Sequence, residues 1–259
     1  MQLKHIDSGN AFDFGKTSKQ YAQYRDIYPE SMYEKLIQFG IGRAGQSILD
    51  LGSGTAILPM HLYHTGADFI STDISEKQVA AGKAMAEARG MNIQFKVCSA
   101  ENTGFSDRSF DVVTAVQCFQ YFDPEKAAEE IRRILKPNGL LCKIFMDWLP
   151  KQDEKIAEME QLVLKYNPKW SGNGFEKFRY HYPEWAEERF DIETIHSYNA
   201  VLTFEKEAWL ERVKTCRGIG ASLPKQEIQA FEEEYRTRLT EEILQLKHQI
   251  HFEIYRVIK

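Results

Sequence analysis

Short runs rich in apolar residues fall at 47–51, 68–72, 93–97, 111–116 and 140–145, separated by stretches with helical spacing. Apolar runs of that length predict strands of a buried, parallel sheet. Ser75-Glu76-Lys77-Gln78 reads as a capping box, which predicts a helix running to about Gly90, where a left-handed residue ends it. Another helix is expected from Pro124 through Ile131 and Leu135, broken by Lys136-Pro137-Asn138-Gly139. Helical spacing also marks Ser31–Phe39, just after Pro29. Alternation of this kind implies an α/β fold, a parallel sheet with helices on both faces.

After Phe145 the alternation stops. Residues 147–188 are dense in aromatics and carry Trp148, Trp170 and Trp185, three of the four tryptophans. This stretch is too apolar for a linker and reads as an insertion that covers something. Beyond it the pattern predicts a strand at about 190–204, a helix near 205–215, a charged helix at 224–246 and a strand at 249–258. In the last, Ile250, Phe252 and Ile254 alternate with His251 and Glu253. The expected organisation is a lead-in over 1–46, a core over 47–146, the insertion over 147–188 and a closing segment over 189–259.

The chemistry concentrates at Asp50-Leu51-Gly52-Ser53-Gly54-Thr55 and at Asp73, which closes the next apolar run. Glycines suit a tight strand-to-helix turn and the close approach of a ligand to backbone. An acid at the end of the second strand can accept both hydroxyls of a ribose, so the pattern points to a nucleoside cofactor. Ile57 stands where a dinucleotide fingerprint would have Gly or Ala, and Asp50 sets an acid beside the loop. An acid there suits a cationic, amine-bearing ligand better than a pyrophosphate. S-Adenosylmethionine, with a sulfonium, an ammonium, a ribose and no phosphate, matches; an NAD-dependent oxidoreductase is disfavoured.

Composition narrows the partners. A net charge of −5 speaks against nucleic acid. No run of 18 apolar residues is present, so no membrane span is expected, and Met1–Asp7 lack the apolar core of a secretory signal. The four scattered cysteines, Cys98, Cys118, Cys142 and Cys216, fit reduced thiols in a cytoplasmic protein. His248-x-x-His251 has metal-ligand spacing but falls on a strand-like run without a third ligand, so no metal is expected.

The ordered set of motifs resembles class I S-adenosylmethionine-dependent methyltransferases. Asp50–Thr55 is similar to the family's glycine loop, Asp73-Ile74-Ser75 to its second-strand acid, Phe105–Val113 to the approach to its fourth strand, and Arg132–Leu140 to the turn before its fifth. Tyr21–Pro29 and Ala115–Asp123 look most like small-molecule enzymes of the trans-aconitate methyltransferase type. The resemblance implies a Rossmann-like, doubly wound, seven-stranded sheet, mostly parallel, with an antiparallel C-terminal hairpin. It implies cofactor contacts from Tyr21, Arg25, Asp50, Gly52, Ser53, Gly54, Asp73, Ile74, Gln78, Ala100, Glu101 and Gln117. Asp50 either holds the loop or reaches the cofactor's ammonium through water. Gln78 lies near the adenine and Gln117 near the methionine part. Ser99 replaces the acid that usually holds the adenine amino group, leaving that bond to Ser99, Glu101 or backbone.

Tyr21, Arg25 and Tyr28 share one helical face, which serves either to pack on the domain or as a lid over the cofactor. With the insertion, where Trp148, Trp170 and Tyr180 stand out, they would wall the substrate site, with Tyr121 below. The family's frequent His after the fourth strand is replaced by Gln120, so no general base is evident; Tyr28, Gln120 and Tyr121 remain the catalytic candidates. The expected function is methyl transfer to a small molecule. The alternative is a non-catalytic protein of the same fold that binds S-adenosylmethionine or S-adenosylhomocysteine.

Overall fold

In the computed structural model, which describes residues 1–17 and 28–258, the apolar runs become β1 (Ser47–Leu51), β2 (Asp68–Asp73), β3 (Gln94–Val97), β4 (Phe110–Val116) and β5 (Leu135–Trp148). Two later strands follow, β6 (Phe190–Glu205) and β7 (Ile243–Val257). Helices α1 (Glu30–Gln38), α2 (Ile57–Leu62), α3 (Glu76–Ala88) and α4 (Pro124–Ile134) alternate with the first strands. Three more follow β5: α5 (Glu154–Tyr166), α6 (Lys206–Lys214) and α7 (Lys225–Arg238).

The strands form one seven-stranded sheet in the order β3-β2-β1-β4-β5-β7-β6. Strands β1 to β5 pair in parallel, and β6 and β7 make the antiparallel C-terminal pair, with helices flanking the sheet. This is the doubly wound, Rossmann-like architecture expected from the sequence. Its order reverses between β1 and β4, and ligands of open α/β sheets lie outside the carboxyl ends of the strands at such a point.

Local chemistry accounts for the helix starts. The Ser75 hydroxyl accepts from Gln78 N at 3.5 Å to open α3, and Asp123 accepts from Lys126 N at 3.3 Å to open α4, with Pro124 in the first turn. One face of the sheet buries Leu49, Leu51, Val113, Ala115 and Leu141 against Ala127, Ala128 and Ile131 of α4.

Three elements differ from expectation. Strand β5 begins at Leu135, because Leu135 pairs with Phe110 before the register shifts at Lys136–Gly139, where Asn138 adopts a left-handed φ of 65°. The charged helix stops at Arg238, and residues 243–248 join β7: Leu244, Leu246 and His248 are buried while Ile243, Gln245 and Lys247 are exposed, a period of two. The aromatic stretch contains α5, capped by Asp153, whose carboxylate accepts from Lys155 N at 3.1 Å and Ile156 N at 3.4 Å.

The chain divides into two compact units. One comprises residues 28–146, 179–197 and 250–259 and holds β1 to β4 and most of β5. The other comprises 1–27, 147–178 and 198–249. Within the second unit Trp148 packs against Trp170 and Trp209 at centroid separations of 6.3 and 5.8 Å, and Trp209 Nε1 donates to the Tyr235 hydroxyl at 2.6 Å. Its N-terminal residues are tied in by Asp7, 2.9 Å from Arg217 and hydrogen-bonded to Ser171.

Candidate functional site

The turn leaving β1 is built on three left-handed residues, Gly52 (φ 57°), Gly54 (φ 56°) and Ala56 (φ 61°). It is pinned from the side by β2, through Ser53 N to Thr72 O at 2.8 Å and Gly54 N to Asp73 Oδ2 at 2.9 Å. The other Asp73 oxygen accepts from Ser75 N at 2.8 Å, so one carboxylate ties the glycine turn to the entry of α3. Burial raises the Asp73 pKa, opposed by bonds from Ser75, Gly54 and Ile74 backbone. A carboxylate offers about four lone-pair sites, so at least one remains for a ligand.

Gly52 answers to a second constraint. A Cβ built on it would stand 2.9 Å from Cys118 Cβ and 3.0 Å from its Sγ. The close neighbour that excludes a side chain there is the turn after β4, whereas the sequence suggested a ligand. Cys118 in turn donates its thiol to Leu51 O at 3.1 Å, and burial, with the Asp50 and Asp73 charges adding, pushes that thiol well above its ordinary range.

Asp50 lies in a polar row across the sheet: Ser71, Asp50, Thr114 and Cys142 are consecutive register partners on β2, β1, β4 and β5. Its Oδ1 accepts from Thr114 Oγ1 at 2.6 Å. Burial pushes its carboxyl up to about 7; the Thr114 bond opposes this and the Asp73 charge adds to it. The two acids beside the turn have the wrong sign for a pyrophosphate and the right one for an amine.

Several buried oxygens here have no hydrogen-bond partner among the described residues: Ser53 Oγ, Thr55 Oγ1, Ser71 Oγ and Gln78 Oε1. Helix α3 lies close on the turn, since a Cβ on Gly82 would meet the Thr55 carbonyl at 3.0 Å, and Gln78 is one turn earlier on the same face. Ile74, immediately after Asp73, is 60% exposed, an apolar surface beside the acid. This donor and acceptor set fits the adenosyl and amino-acid parts of S-adenosylmethionine.

The other expected residues sit as follows. Ala100 is buried in the loop after β3, where Ser99 and Asn102 form an isolated bridge. Glu101 Oε1 accepts from Asp123 N at 2.9 Å, so part of that carboxylate is committed to the start of α4. Gln117 has a left-handed φ of 58°, its N donates to Ile144 O at 2.9 Å and its side-chain amide donates to Met146 O. Gln120 Nε2 donates to Gln117 O at 3.1 Å, and Tyr121 packs against the apolar face of the sheet. Tyr28 is half-buried just ahead of α1. Tyr21 and Arg25 lie outside the described residues. Tyr180 packs with the sheet unit, Trp148 and Trp170 within the other.

Glu130 was missed in the sequence. It is buried on α4 and accepts from Thr103 N at 2.8 Å, Thr103 Oγ1 at 2.5 Å and Arg133, anchoring the loop after β3. No pattern of spacing could signal it, because its partner is 27 residues away. Among the described residues no group of three His, Cys, Asp or Glu could hold a metal ion, and no helix is long and apolar enough to cross a membrane.

Comparison with known proteins matches residues 49–143 to a methyltransferase domain family. The demethylmenaquinone methyltransferase of Thermus thermophilus is 34% identical over 120 residues, covering 45% of this chain and 54% of that protein. The uncharacterized methyltransferase YcgJ of Bacillus subtilis is 26% identical over 157 residues, 59% of this chain and 62% of YcgJ. The chain thus spans a little over half the length of these relatives. The YcgJ structure superposes with a TM-score of 0.54 at 19% identity, over 89% of this chain and 99% of that one. A geranyl diphosphate methyltransferase in complex with S-adenosylmethionine superposes with a TM-score of 0.52 at 17% identity, over 88% and 85%. At such identities the likeness is one of fold.

Proposed function

We propose that this chain moves the methyl group of S-adenosylmethionine to a small-molecule acceptor, as a class I methyltransferase of the type that the trans-aconitate enzymes exemplify. The observation that carries the reading is Asp73, at the end of β2, joining Gly54 N of the turn after β1 to Ser75 N with an acceptor site to spare. The methyltransferase-domain match over the same segment supports it.

In this reading Asp73 takes the ribose hydroxyls, and Ser53 and Gly54 border the amino-acid part. Ile74 lies along the adenine, with Gln78, Ala100 and Glu101 around it. Asp50 and Gln117 serve the ammonium end. When bound, the sulfonium supplies an already electrophilic methyl. The chain's task is to align an acceptor with that carbon, and to keep water out of a site floored by Phe119, Tyr121 and Phe145.

The test is incubation of the protein and trideuteromethyl-labelled S-adenosylmethionine with a small-metabolite extract, followed by mass spectrometry. A product heavier by the labelled methyl is expected. Binding of S-adenosylhomocysteine without any labelled product would favour the non-catalytic alternative.

A further inference from the structure

The end of the sheet away from the glycine turn holds a cavity of about 320 Å³. Its walls come from the loop between α1 and β1, the start of β4, the bulge at Lys136–Gly139 of β5, and the neighbouring ends of β6 and β7. All of them belong to the compact unit that carries β1 to β4. The five residues of β1 separate the cavity from the glycine turn, roughly 16 Å at about 3.3 Å per residue. It is therefore distinct from the cofactor site.

Three cations, Arg43, Lys136 and Arg256, and two acids, Asp111 and Glu193, line it. Two of the cations are committed. Lys136 Nζ donates to Asp111 Oδ2 at 2.8 Å, and Arg256 meets both oxygens of Glu193, through Nε at 2.8 Å and Nη2 at 2.7 Å. The remaining Arg256 nitrogen, Nη1, donates to Asn138 O at 2.9 Å in the bulge. Arg43 differs. Among the described residues it makes hydrogen bonds through its backbone alone, and no carboxylate pairs with its guanidinium. Its pose is nonetheless fixed by the loop. Gln46 clamps that loop, accepting from Arg43 N at 2.8 Å and donating to Gly40 O at 3.0 Å. The guanidinium lies against Gly40, where a Cβ would stand 2.7 Å from Nη2 and 3.0 Å from Cζ. The lining thus keeps one positive charge in excess, in a chain whose net charge is −5. Phe39 adds an apolar wall, set edge-on to Phe252 at 5.5 Å.

We infer that this cavity is a second ligand site, for a small organic anion with one acidic head and an apolar body. The Arg43 fork takes the carboxylate or phosphate head, a match of planar donors to paired oxygens. Phe39 takes the body. Asp111 and Glu193 limit the charge that can enter, since a ligand with several acidic groups would meet them as well. The volume lies at the lower end of the range for ligand pockets, about 300–1,000 Å³, which suits a small metabolite and exceeds the needs of a bare ion. The site does not depend on the methyl-transfer reading.

Phenyl phosphate and phenylacetate are the probes, inorganic phosphate is the bare-ion comparison, and amide NMR of the full chain, with and without S-adenosylhomocysteine, is the readout. At least one aromatic probe should shift the amides of Gly40, Arg43 and Gly139 with a dissociation constant of about 1 mM or tighter, and bind about fivefold or more tighter than inorganic phosphate. Which of the two binds tells a phosphate head from a carboxylate. Arg43→Gln, which should unfold at the same urea concentration as wild type, should weaken binding about tenfold. Arg43→Lys should recover only part of the loss. Lys83→Gln, an exposed position on α3, should leave binding unchanged. Absence of those shifts up to about 10 mM of either aromatic probe would overturn the site. So would displacement of the probe by S-adenosylhomocysteine, or affinity unchanged by Arg43→Gln or reduced as much by Lys83→Gln. Inorganic phosphate binding as tightly as phenyl phosphate would reduce the site to one for an adventitious ion only.

Discussion

Replacing Asp50 by Asn removes a buried acid whose ionisation the fold opposes. Burial lifts the carboxyl from 3.8 to about 7, against the Thr114 bond and with the Asp73 charge adding. A carboxyl with a folded pKa above its unfolded value holds its proton more tightly in the folded state. The stability this lends is complete below about pH 4 and is lost as pH rises to about 7. The interval from 3.8 to about 7, at 1.36 kcal/mol per pH unit, amounts to about 4 kcal/mol. An amide keeps an oxygen for Thr114 Oγ1 and carries no charge. Urea unfolding of wild type and Asp50→Asn between pH 4.5 and 8 measures the difference, in which the other carboxyls cancel. The variant should gain on wild type as pH rises, ending up to about 4 kcal/mol more stable at pH 8. S-Adenosylhomocysteine, which retains the ammonium, should narrow that gap. A difference independent of pH would refute the reasoning, as would a variant less stable at pH 8.

Gly52→Ala should destabilise the fold by about 2–5 kcal/mol in urea, combining a left-handed alanine with overpacking against Cys118. Adding Cys118→Gly should recover part of it, and a loss under about 0.5 kcal/mol would show that the turn gives way. Lys143→Met strands Glu253 in an apolar setting and should cost about 3–5 kcal/mol, whereas Lys143→Met with Glu253→Gln should lie near wild type. Equal losses in the single and double variants would mean that the pair is not coupled.

The centre of the sheet was legible because β1 and β4 are buried nearly throughout, and the runs at 47–51 and 111–116 reappear almost unchanged as those strands. The helix starts at Ser75 and Pro124 were legible for a similar reason, since their signals are local. Expectation failed where a local preference was overruled from a distance. Residues 243–248 lie in a stretch rich in good helix formers, yet their alternating burial places them in β7. Helix α5 lies in a stretch whose aromatics obscure its period, although Asp153-Glu154 and the apolar positions Ile156, Met159 and Val163 carry its signal. At the site, Asp50, Gly52, Gly54 and Asp73 could be read in one stretch of chain. The partner that makes glycine necessary at 52 is Cys118, and the ion pair of Lys143 with Glu253 joins residues about a hundred positions apart. Only pairing between β5 and β7 could reveal that.

Calorimetric titration of S-adenosylhomocysteine into wild type and Asp73→Ala tests the central claim most directly. The carboxylate bridges Gly54 and Ser75 and, on the proposed reading, also holds the ribose; losing a charged hydrogen-bond partner costs about 1.5–3 kcal/mol. Wild type should bind one equivalent and give no heat with NAD, while Asp73→Ala, still folded by circular dichroism, should bind about ten- to a hundredfold more weakly. Equal affinity in the two proteins, or binding of NAD in place of S-adenosylhomocysteine, would contradict it.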